Sequence, residues 1–81
     1  MTRSTTEDVQ AACDEAVTAA AHVMLHAGAP VGMILDRLLT YAAAQACALD
    51  GSPTTAKNFR TFAEKIDGGL FHTVTGEQSR H

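Results

Sequence analysis

Apolar residues return at helical intervals along the first third of the chain. Val9, Cys13, Ala16, Val17, Ala20, Val23, Met24 and Ala27 form one stripe among polar neighbours, the mark of an amphipathic helix. A second set, Val31, Ile34, Leu35, Leu38, Leu39, Tyr41, Ala42, Ala46 and Leu49, marks a second helix. Its arc is wider than one neighbouring helix would cover. Ala56, Phe59, Phe62, Ala63 and Ile66 mark a third, which leaves Lys57, Arg60, Thr61, Glu64 and Lys65 for water. The pattern predicts helices over about 5–27, 30–50 and 53–67.

Punctuation residues fall at the ends of these segments. Ser4-Thr5-Thr6-Glu7 reads as an S-x-x-E capping box, with Glu7 and Asp8 well placed for the helix dipole. Gly28 suits a left-handed cap, and Pro30 suits the first turn of the second helix. Asp50-Gly51 closes that helix, Ser52 is the expected N-cap of the third, and Pro53 its first residue. Gly68-Gly69 ends the third helix, after which Leu70 and Phe71 can fold back. The turns are short, so consecutive helices should be neighbours. The expectation is a single all-α domain over residues 1–71, a small three-helix bundle that dimerises, with a polar tail over 72–81. Ile34, Leu38, Phe59, Phe62 and Ile66 are its expected core.

Size strengthens the dimer expectation. A chain of 81 residues buries only roughly 60–65 % of its unfolded surface, so association would help it. A composition of 46 % hydrophobic and 19 % charged residues is that of a globular chain. Alanine dominates the apolar set, and small side chains let helices approach closely. The net charge is −3: six acids against two bases make residues 1–52 negative by four, and residues 53–81 carry one excess base. Neither part offers the basic field that non-specific nucleic-acid binding needs. No basic and apolar leader is visible, so no signal peptide is expected. Asp36 and Arg37 break the longest apolar stretch, so no membrane span is expected. Cys13 and Cys47 lack a CxxC spacing and suit reduced thiols in the cytoplasm. Cys13, on the apolar stripe, is expected to be buried and inert.

Candidate chemistry is sparse. His22 and His26 stand at i and i+4, one turn apart on one face, and could both reach a metal ion. A structural zinc site needs four ligands and a catalytic one three. No carboxylate stands one turn from both rings, so a solvated pair without a native metal is expected, with His72 or a symmetry mate as the conceivable third ligand. Lys57, Arg60 and Lys65 on the third helix raise a nucleic-acid reading, but they spread around the helix with Glu64 among them. No catalytic constellation or cofactor motif is visible, so neither enzyme activity nor a cofactor is expected. Leu25 lies off its own stripe, and Leu35, Leu39 and Ala46 widen the arc of the second helix. Together they are the expected partner or dimer surface. The function these features favour is a small cytoplasmic helical protein–protein interaction module. The alternatives are a nucleic-acid-binding regulator using the third helix and a metal-binding protein using His22 and His26.

Overall fold

A computed structural model describes residues 5–77. The fold is small and all-α. It comprises α1 (Thr6–His26), α2 (Val31–Asp50), α3 (Ser52–Asp67) and a single turn, α4 (His72–Thr75). No strand occurs among the described residues. The chain divides into two compact units, Met1–Thr40 and Tyr41–His81, and the division falls inside α2.

Helix ends follow local chemistry, displaced by a residue from the sequence expectation. The N-cap of α1 is Thr5 rather than Ser4, which lies outside the described residues. Thr5 Oγ1 accepts from the Asp8 amide at 3.1 Å, and Asp8 Oδ2 accepts from the Thr5 amide at 3.2 Å. Asp8 thus fills the reciprocal position expected of Glu7. Pro30 precedes α2, its carbonyl accepting from the Ile34 amide at 3.1 Å. Gly51, not Ser52, is the N-cap of α3, without a side-chain cap.

Two helix ends close as Schellman motifs. Gly28 (φ 96°) donates to the Leu25 carbonyl and Ala29 to that of Met24. Gly69 (φ 109°) donates to Ile66, and Leu70 to Lys65. Only glycine adopts this backbone cheaply. At Gly69 a Cβ would also stand 3.0 Å from His72 Nδ1.

In the first unit, cover gathers near the α1–α2 turn. Ile34 is buried, at 5 % exposure, and Ala21, Met24, Ala29 and Leu38 are half-buried. Every residue from Thr5 to Ala20 is exposed. Of the long stripe read from the sequence, Met24 alone is half-buried and the other seven residues are exposed. Ala21, outside that stripe, is half-buried, whereas Val9, Val17 and Val23 are exposed. Cys13, expected to be buried, is exposed as well.

The second unit is joined by small residues. Ala43, Ala46 and Cys47 on α2, and Gly51 and Ala56 after it, are half-buried, and Thr55 is buried. Such side chains let two helices come together on either side of a tight turn. Cover fades along α3. Thr55 is 4 % exposed, but Phe59, Phe62 and Ile66, expected in the core, reach 38–49 %. They recur on one face of α3 beyond the turn, where cover of that face stops. The Phe62 and Phe71 rings do meet edge to face, their centroids 6.1 Å apart, so the chain folds back as expected. The expected tail includes a helical turn, α4, ended by Gly76 in the left-handed conformation; residues 78–81 lie outside the described residues.

These exposures rank three substitutions. Ile34→Ala should lower the unfolding free energy by about 2–5 kcal/mol, the usual cost of truncating a buried isoleucine. Phe62→Ala should cost less, about 1–2 kcal/mol, because half its surface already meets water and the aromatic pair is the main loss. Urea unfolding at one protein concentration checks the order; a costlier Phe62→Ala contradicts it. The buried Thr55 hydroxyl has no hydrogen-bond partner. Thr55→Val keeps the volume and removes the orphaned oxygen, so the same assay should show stability unchanged or raised by about 1 kcal/mol. A clear loss would mean that the hydroxyl is satisfied.

Candidate functional site

The described residues offer one concavity of note. It lies in the first unit beside the α1–α2 turn and has a volume of about 350 Å³. Met24, Ala27, Pro30, Met33 and Ile34 line it, and Arg37 is its one charged residue. The Schellman turn sets its wall: Gly28 reverses the chain, so that Met24 before the turn and Ile34 after it line one hollow. Arg37 Nη2 donates to Asp36 Oδ2 at 2.8 Å and to Thr40 Oγ1 at 3.5 Å, with the ion pair exposed. An apolar hollow with one engaged cation can hold an apolar side chain. It lacks the convergent polar groups that orient a substrate.

His22 and His26 are exposed on α1. No group of three or more His, Cys, Asp or Glu side chains that could hold a metal ion exists among the described residues. His72, the conceivable third ligand, is half-buried on α4 in the second unit. Two imidazoles one turn apart are by themselves an incomplete site. Zinc titration by calorimetry should show only weak binding. Submicromolar affinity at one zinc per chain, lost in His22→Ala, would establish a metal site instead.

Lys57, Arg60 and Lys65 are exposed on α3, as expected of a solvated face. Glu64 is exposed among them, and the set makes no single-sign stripe along the helix. Cys13 and Cys47 are free thiols. No described helix is long and apolar enough to cross a membrane.

The residues expected to form a partner surface fall in both units. Leu25 is 52 % exposed, Leu35 61 % and Leu39 60 %, all in the first unit. Ala46 is half-buried and belongs to the second unit, among its small packing residues. What the sequence reading missed is the extent of the exposed surface. Val9, Val17 and Val23 on α1, and Phe59, Phe62, Ile66, Leu70 and Phe71 at and beyond α3, join it. Periodicity places such residues on a face; it carries no signal of whether anything covers that face. No family model, curated protein or solved structure matches this chain.

Proposed function

We propose that the chain is a small helical protein–protein interaction module, without catalysis, that associates with a second copy of itself. An adaptor, a regulatory subunit and an inhibitor are forms such a module takes. The observation that carries this reading is the imbalance of apolar burial. Among the described residues, sixteen large apolar side chains are exposed, and Ile34 is the one apolar side chain buried. Folded chains are stable by only a few kcal/mol, and apolar burial is their main favourable term. Covering a valine, leucine or phenylalanine contributes about 1.5–3 kcal/mol, so protein contact on these helices would stabilise the chain strongly. The exposed residues of α1 and α2, Leu25, Leu35 and Leu39 included, are the working surface in this reading. A reducing, cytoplasmic setting suits it, because the exposed Cys13 thiol stays free there.

Sedimentation equilibrium from micromolar to millimolar concentration tests this. The expected result is a mass that rises from 8.5 kDa toward twice that value. A chain that keeps the monomer mass throughout, with a melting temperature independent of concentration, would overturn self-association.

A further inference from the structure

We draw no further inference here: the strongest candidate, the exposed apolar face of α3 that carries Phe59, Phe62 and Ile66, has nothing in the structure to show what covers it, because the exposed charges around that helix, Lys57, Arg60 and Lys65 with Glu64 and Asp67, are of both signs and select no partner.

Discussion

A helical stripe stabilises a fold only where something lies against it, and in this protein that happens over short lengths. In the first unit the cover gathers around Ile34, with Ala21, Met24, Ala29 and Leu38 half-buried near the α1–α2 turn. In the second it is built on Thr55 and the small residues on both sides of Gly51. Both places lie at turns, where the chain itself forces two helices together. Away from them, the early part of α1 and the later part of α3 keep their apolar faces in water. The rest of the molecule follows from this shortage of burial.

Features decided within a few residues were legible in the sequence. Three helices, their approximate limits and the glycines that end them could be read because caps and left-handed turns are local. Even there, Thr5 with Asp8 displaced Ser4 with Glu7, since both pairs satisfy the same box one residue apart. Features decided by neighbours were not legible. Phe59, Phe62 and Ile66 share a face with the buried Thr55, yet stand in water because cover of that face stops near the turn. Ala43, Ala46 and Cys47 pack because they are small, a property that hydrophobic periodicity does not weigh.

The candidate site divides in the same way. That His22 and His26 stand one turn apart on α1 could be seen from spacing alone, and both are exposed there. That Leu25, Leu35 and Leu39 are exposed was expected, but the surface they belong to is larger than their sequence positions suggested. The apolar hollow at the α1–α2 turn has one charged wall residue, Arg37, already engaged by Asp36 and Thr40.

On this view, association supplies to α1 the cover that its own unit gives only near the turn. Hydrogen exchange measured above and below the concentration at which the chain associates tests that claim directly. The amides of residues 9–20 should become more protected as concentration rises, while those of α2 around Leu38, next to the buried Ile34, change much less. Equal protection of both segments at every concentration would contradict it, because α1 would then be held by the chain alone.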